Sequence, residues 1–155
     1  MQTPSTKSSP NRAPSRYNQD LLTFHESTVR VRYAETDQMG VVYHANYLIW
    51  MEVGRVEYFR AAGIRYRDME EQDGIRLAVV EANCRYISPA HYDDEVIIRT
   101  SIEEANRRSV RLSYHMREAE SDRKLAAGFT RHFFLSHDMR PAKLPQKYWA
   151  LFGIS

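Results

Sequence analysis

One long helix followed by four strand-like runs is the feature that most limits how this chain can fold. Apolar residues recur at helical spacing from Asn46, a plausible N-cap, to about Ala62. Turn signals then separate runs at 75–87, 94–104, 109–119 and 123–136. Segregated elements of this kind predict an α+β fold, in which one antiparallel sheet packs against one long helix.

A further strand is predicted before the helix. Val29, Val31 and Tyr33 alternate with polar residues, which indicates a half-buried strand from Thr28 to Tyr33. A single helix covers only part of one sheet face. The sequence therefore predicts an exposed sheet edge and an oligomer rather than a monomer.

Two details of the long helix carry structural expectations. Gly54 lies in the helix interior, where glycine costs about 1 kcal/mol against alanine, so we expect a close neighbour behind it. Glu52 and Arg55 are three residues apart and are expected to form an ion pair on the helix surface.

Composition bounds the possible partners. Residues 1–24 contain three basic residues and one acidic residue and resemble a flexible N-terminal extension, while 25–155 contain 19 of each and form the predicted folded domain. A neutral domain disfavours nucleic-acid binding. Cys84 is the only cysteine, so no disulfide or metal site is expected. Without a long apolar run, we expect no membrane span and a cytoplasmic location.

The segment Tyr33 to Tyr47 contains the candidate chemistry. It places Asp37 and Gly40 in a loop between the first strand and the start of the helix. A helix N-terminus offers unpaired N–H groups that suit an oxyanion, and a nearby carboxylate can act as a nucleophile or a general base. The spacing alone also fits a simple Asx turn or cap. Both interpretations stay open at this level.

The same segment resembles a known family signature. The run VRYAETDQMGVVYHANYLIWMEVGR is similar to that of the 4-hydroxybenzoyl-CoA thioesterase family, especially its YbgC-type acyl-CoA thioesterases. The likeness continues through CRYISPAHYDD at 84–94 and covers roughly residues 26–140. It implies a hot-dog fold over 25–155, with a curved five-stranded antiparallel sheet around the long helix. It also implies a homodimer or homotetramer with active sites between subunits.

The resemblance further implies hydrolysis of an acyl-CoA or acyl-carrier thioester without a cofactor. Asp37 would then be the nucleophile or general base, and the backbone N–H of His44 would polarise the thioester oxygen. The His44 imidazole would add a further donor or a proton relay. Substrate contacts would come from the following residues: Tyr33, Gly40, Tyr43, Tyr47, Arg107 and Arg108. The two arginines lie at a strand turn and would meet coenzyme A phosphates.

Other acids and other functions are also compatible with this fold. Glu52 and Glu57 are rival carboxylates, because another branch of hot-dog thioesterases carries its acid on the helix. We expect Glu52 to be structural and Glu57 to be solvated or interfacial. A hot-dog dehydratase of hydroxyacyl thioesters would need a pairing of histidine with an acid on the helix, which the sequence lacks. A non-catalytic acyl-thioester-binding protein is disfavoured by the intact Asp37.

Overall fold

The computed structural model describes residues 21–155, and residues 1–20 of the predicted extension lie outside this part. Residues 21–24 pack against the domain, since the Tyr58 hydroxyl donates to the Leu22 carbonyl at 2.6 Å. The elements follow in chain order: β1 His25–Arg30, a 3₁₀ turn Tyr33–Glu35, α1 Asn46–Ala61, α2 Tyr66–Asp73, β2 Arg76–Tyr86, β3 Glu95–Ala105, β4 Ser109–Glu118, β5 Lys124–Leu135, a 3₁₀ turn Gln146–Tyr148 and α3 Trp149–Phe152.

The five strands form one sheet in the order β1-β3-β4-β5-β2, and every neighbouring pair is antiparallel. Helix α1 lies across one face of this sheet, mainly over β1 and β3. Its buried side includes Tyr47, Trp50, Met51 and Tyr58. The predicted α+β architecture, with one sheet and one long helix, is therefore confirmed.

Gly54 marks the closest approach of α1 to the sheet. A Cβ atom at this position would lie 2.5 Å from Thr100 Oγ1 and 2.8 Å from Ile98 Cγ2 on β3. Only glycine leaves room for such a contact, as the sequence predicts. The helix can therefore lie low on the sheet at its midpoint.

Arg55 corrects the expected ion pair on α1. Its guanidinium turns inward and donates to the Tyr114 hydroxyl at 3.1 Å, and it forms no ion pair with Glu52. The Tyr114 hydroxyl meets Thr130 Oγ1 at 2.6 Å, which in turn meets His132 Nε2 at 2.8 Å. Burial, together with the Arg55 charge, lowers the pKa of His132 to about 3. The core thus contains a hydrogen-bonded polar chain that starts on the helix and ends on β5.

The first strand and the helix start also differ from prediction. β1 ends at Arg30, and Tyr33 lies in the 3₁₀ turn and is 79% exposed, so it does not share a buried face with Val31. Asn46 lies in the first turn of α1 rather than at its N-cap, which is Ala45. Its side chain donates to the Glu35 carbonyl at 2.8 Å instead of accepting a bond from the helix.

Strand β2 lies at one edge of the sheet, next to β5 only. Val79 and Val80 are about half exposed on this strand, at the point where its pairing register shifts. Leu48 and Ile49 on α1 are similarly exposed. Within residues 21–155, no helix is both long enough and apolar enough to cross a membrane.

We expect Gly54→Ala to destabilise the protein by about 1–3 kcal/mol, because the added methyl group would overlap Thr100 and Ile98. Helix propensity alone would instead stabilise it by about 1 kcal/mol. The free energy of unfolding, measured with denaturant, distinguishes a loss of stability from a gain. Thr100 Oγ1 is buried without a hydrogen-bond partner among the described residues. Adding Thr100→Ala should therefore restore part of the lost stability, and a stable Gly54→Ala single variant would contradict the packing argument.

Candidate active site

The loop between β1 and α1 is held by the buried carboxylate of Glu35, which is 5% exposed. Its Oε2 accepts from Trp50 Nε1 on the helix at 2.9 Å, and its Oε1 accepts from the backbone N–H of Arg32 at 2.8 Å. The Glu35 carbonyl accepts from the Tyr43 N–H and from Asn46 Nδ2, both at 2.8 Å. One residue therefore ties the end of β1, the loop and the start of α1 together. Sequence reasoning missed it, because nothing local marks Glu35 as buried.

Asp37 lies in the tight part of this loop and is partly exposed. Its Oδ1 accepts from the Met39 N–H at 2.8 Å, which is an Asx turn, while no described residue donates to Oδ2. The Asp37 N–H donates to the Val41 carbonyl at 2.8 Å, and the Asp37 carbonyl accepts from the Gly40 N–H at 3.0 Å. Gly40 has φ +80°, which favours glycine. The hydrogen bond to Oδ1 thus orients the Asp37 carboxylate, and Oδ2 is available to contact a substrate or a water molecule.

The start of α1 provides unpaired donors. The Asn46 N–H bonds to the Tyr43 carbonyl at 3.0 Å, and the Tyr47 N–H bonds to the His44 carbonyl at 3.4 Å. Within residues 21–155, no group accepts a hydrogen bond from the N–H of His44 or of Ala45. Both residues precede a four-turn helix, whose N-terminus carries partial positive charge. This arrangement suits binding of an anionic or strongly polarised oxygen.

The tyrosines predicted to contact substrate occupy different environments. Tyr33 and Tyr43 are 79% and 48% exposed, and Tyr33 packs edge-on against Tyr92 with ring centroids 5.5 Å apart. Tyr47 is 2% exposed, and its hydroxyl accepts from the Ala90 N–H at 3.3 Å. Tyr47 therefore supports the loop from inside and has almost no surface of its own to offer a substrate.

Tyr86 is a second residue that sequence reasoning missed. It ends β2, and its hydroxyl donates to the His44 carbonyl at 2.8 Å. Its ring packs edge-on against Tyr47, with centroids 5.1 Å apart, and lies beside the His44 imidazole at 6.3 Å. Burial raises the pKa of Tyr86 to about 12. Its place in the quoted run at 84–94 is the only signal that pointed toward it.

Arg107 and Arg108 lie far from Asp37 in the same chain. The Asp37 loop follows the end of β1, where Arg30 pairs with Glu95 at the start of β3. The two arginines come after the opposite end of β3, at Ala105. Eleven strand residues span roughly 33 Å. Arg107 stacks on Trp149 with its guanidinium carbon 4.1 Å from the ring centroid, and Arg108 is exposed.

The rival carboxylates Glu52 and Glu57 lie on the outer side of α1. Glu57 pairs with Arg60 on the helix surface. Glu52 is exposed and pairs with no described residue. Among the side chains of residues 21–155, no group of three or more His, Cys, Asp or Glu residues could hold a metal ion.

Comparisons with known proteins give a consistent picture. The family model described as the thioesterase-like superfamily matches residues 31–150. YneP of Bacillus subtilis, named provisionally as an acyl-CoA thioesterase, is 48% identical over 88 residues, which cover 57% of this chain and 63% of that protein. The chain therefore spans less than two thirds of this relative's length.

Solved structures are similar over more of their length. A 1,4-dihydroxy-2-naphthoyl-CoA thioesterase from Staphylococcus aureus is 33% identical, with a TM-score of 0.76 and coverage of 79% of this chain and 82% of that one. The 4-hydroxybenzoyl-CoA thioesterase of Pseudomonas is 22% identical, with a TM-score of 0.76 and coverage of 82% and 97%. These likenesses confirm the hot-dog fold.

We expect Glu35→Gln to loosen the loop. A glutamine amide keeps one acceptor oxygen, so it cannot serve both Trp50 Nε1 and the Arg32 N–H, and one buried donor is left unpaired. The free energy of unfolding should fall by about 1–3 kcal/mol. Hydrogen exchange of the Asp37 amide should accelerate as well. Glu104→Gln, an exposed charge removal on β3, is the matched control. Equal effects of the two variants would show that Glu35 does not hold the loop.

Proposed function

This chain belongs to the thioesterase-like superfamily, and from that premise we propose that it hydrolyses acyl-CoA thioesters to a free acid and CoA. One observation supports this best. A single loop contains the Asp37 carboxylate, with one oxygen unbonded, and leads into the unpaired N–H groups at the start of α1. A carboxylate that acts as nucleophile or base, together with an oxyanion donor, is sufficient for thioester hydrolysis, and no cofactor is required.

In the proposed reaction, Asp37 either attacks the thioester carbonyl or removes a proton from an attacking water. Negative charge develops on the carbonyl oxygen as the tetrahedral intermediate forms. The N–H of His44 at the helix start stabilises that charge, and the CoA thiolate then leaves. If Asp37 has attacked, water hydrolyses the resulting acyl-Asp37 anhydride, which releases the free acid and restores the carboxylate. If water has attacked, the free acid forms directly, and the proton held by Asp37 passes to the thiolate or to solvent. The bond from the Met39 N–H to Oδ1 keeps the carboxylate in one orientation throughout.

We assign the contribution of His44 to its backbone. Its imidazole is exposed and packs on the Tyr43 ring, with centroids 4.4 Å apart. No described residue forms a hydrogen bond with that imidazole, so nothing in the chain fixes the ring as a proton relay. The backbone N–H, by contrast, is held by the helix that follows.

A second subunit is proposed to complete the CoA site. Arg107 and Arg108 cannot reach Asp37 of their own chain across the length of β3, so they would serve the site of a partner. The exposed Val79 and Val80 on edge strand β2 support the formation of such a dimer. Arginine suits phosphate binding because its guanidinium makes bidentate contacts. The acyl group and the choice between CoA and a carrier protein depend on the assembled pocket.

We expect Asp37→Asn to lower kcat by at least about a hundredfold, because the amide can neither attack nor accept the water proton at neutral pH. Release of free thiol from a panel of aliphatic and aromatic acyl-CoAs measures this. Glu52→Gln, which removes the unpaired carboxylate on α1, is the matched control and should keep activity within about threefold. The reverse ranking would move the catalytic acid to the helix. An unsaturated product with an intact thioester would indicate a dehydratase, and no turnover by wild type would indicate a binding protein.

The shared site predicts complementation between two inactive variants. Mixing Asp37→Asn with Arg107→Ala/Arg108→Ala and allowing subunits to exchange should restore activity at low acyl-CoA concentration. A mixed dimer contains one site with an intact Asp37 from one chain and intact arginines from the other. If mixing restores nothing although mass spectrometry detects mixed dimers, the arginines and Asp37 do not meet across the interface.

A further inference from the structure

We propose that Tyr86 is a positioning residue for the oxyanion site, and that the N–H it positions is that of Ala45, acting as a second donor beside His44. Tyr86 lies on β2, 42 residues along the chain from His44, and its hydroxyl bonds to the His44 carbonyl. This inference rests on the proposed thioester hydrolysis and adds a residue to it.

The planarity of the peptide bond carries the argument. The His44 carbonyl and the Ala45 N–H belong to one trans peptide unit, in which the C=O and N–H point in opposite directions. A hydroxyl that fixes the carbonyl oxygen therefore also fixes the direction of the N–H. Ala45 has helical backbone angles, φ −66° and ψ −23°, so its N–H points out of the N-terminus of α1.

The helix itself holds this peptide unit only weakly. The bond from the Tyr47 N–H to the His44 carbonyl is 3.4 Å long, at the limit of hydrogen-bond geometry. The bond from the Tyr86 hydroxyl is 2.8 Å long. Tyr86 thus makes the stronger of the two contacts to this carbonyl, and helix ends otherwise fray readily.

Tyr86 is itself held in place. Its ring packs edge-on against Tyr47, which is 2% exposed and bonded to the Ala90 N–H. Strand β2 is paired with β5 through Tyr86, whose partner is Ala126. The hydroxyl is protonated at neutral pH, as in any tyrosine, and burial raises its pKa further. A rigid, neutral donor on the sheet therefore sets the angle of the first peptide of the helix.

Tyr86→Phe tests this, because it removes the hydroxyl and keeps the ring. We expect kcat for acyl-CoA hydrolysis to fall about tenfold while KM changes less than twofold, since only the orientation of a transition-state donor is lost. Tyr92→Phe is the matched control: it removes a hydroxyl from another exposed tyrosine and should leave kcat unchanged. The free energy of unfolding is measured for both variants, to separate loss of activity from loss of fold.

A spectroscopic readout reports on the donor directly. Benzoyl-CoA with an isotope-labelled thioester carbonyl is bound to Asp37→Asn, and its carbonyl stretch is compared with that in Asp37→Asn/Tyr86→Phe. Polarisation by the N–H groups lowers this frequency, and we expect the double variant to lose about half of the shift. The inference is overturned if Tyr86→Phe keeps the wild-type kcat and does not change the carbonyl frequency. The proposed function is tested separately: it stands, whatever the result for Tyr86, if Asp37→Asn loses activity. If Asp37→Asn is active, the assignment of Asp37 as the catalytic carboxylate is wrong, but the inference about Tyr86 is unaffected.

Discussion

The conformation of the candidate site depends on the hydrogen bonds that the buried Glu35 carboxylate accepts. A charge away from water is tolerated only when hydrogen bonds replace its hydration. Glu35 meets this condition with donors from Arg32 and from Trp50, and its carbonyl receives two more. The result is a short connection whose conformation is dictated from the core. Asp37 is therefore presented to solvent on a loop of defined conformation, which is what a carboxylate needs if it is to act on a substrate from one direction.

The fold follows closely from the sequence because its signals are local. The turn residues between the four predicted runs located four strands within two residues of their observed bounds. The errors lie where tertiary contacts outweigh local preference. Tyr33 continues the sequence alternation of β1, yet its side chain is exposed. The hydrogen bond between Glu35 and Trp50 accompanies a 3₁₀ turn over Tyr33–Glu35, which ends the strand geometry. Arg55 has an acid three residues away yet turns inward to Tyr114, which lies 59 residues away.

The location of the candidate site was predictable in part. The resemblance located the loop and the helix start, and the structure places Asp37, Gly40, Tyr43 and His44 there together. Local pattern could not show that Tyr47 is buried, or that Tyr86 reaches the helix start from an edge strand. Those facts depend on how the sheet brings distant segments together. The distance between Asp37 and the turn that contains Arg107 and Arg108 likewise depends on how β1, β3 and β4 pair, which no sequence motif shows.

The polar chain beneath α1 has a consequence for the range of pH in which the protein stays folded. His132 titrates near 6.5 when exposed but near 3 in the folded chain, so the unfolded state binds a proton first as the solution is acidified. At neutral and alkaline pH the imidazole is neutral in both the folded and the unfolded state, so its titration does not change stability. Between about pH 6.5 and about pH 3, it favours unfolding by about 1.4 kcal/mol for each pH unit. The same hydrogen-bonded core that orders the domain at neutral pH thus makes it sensitive to acid.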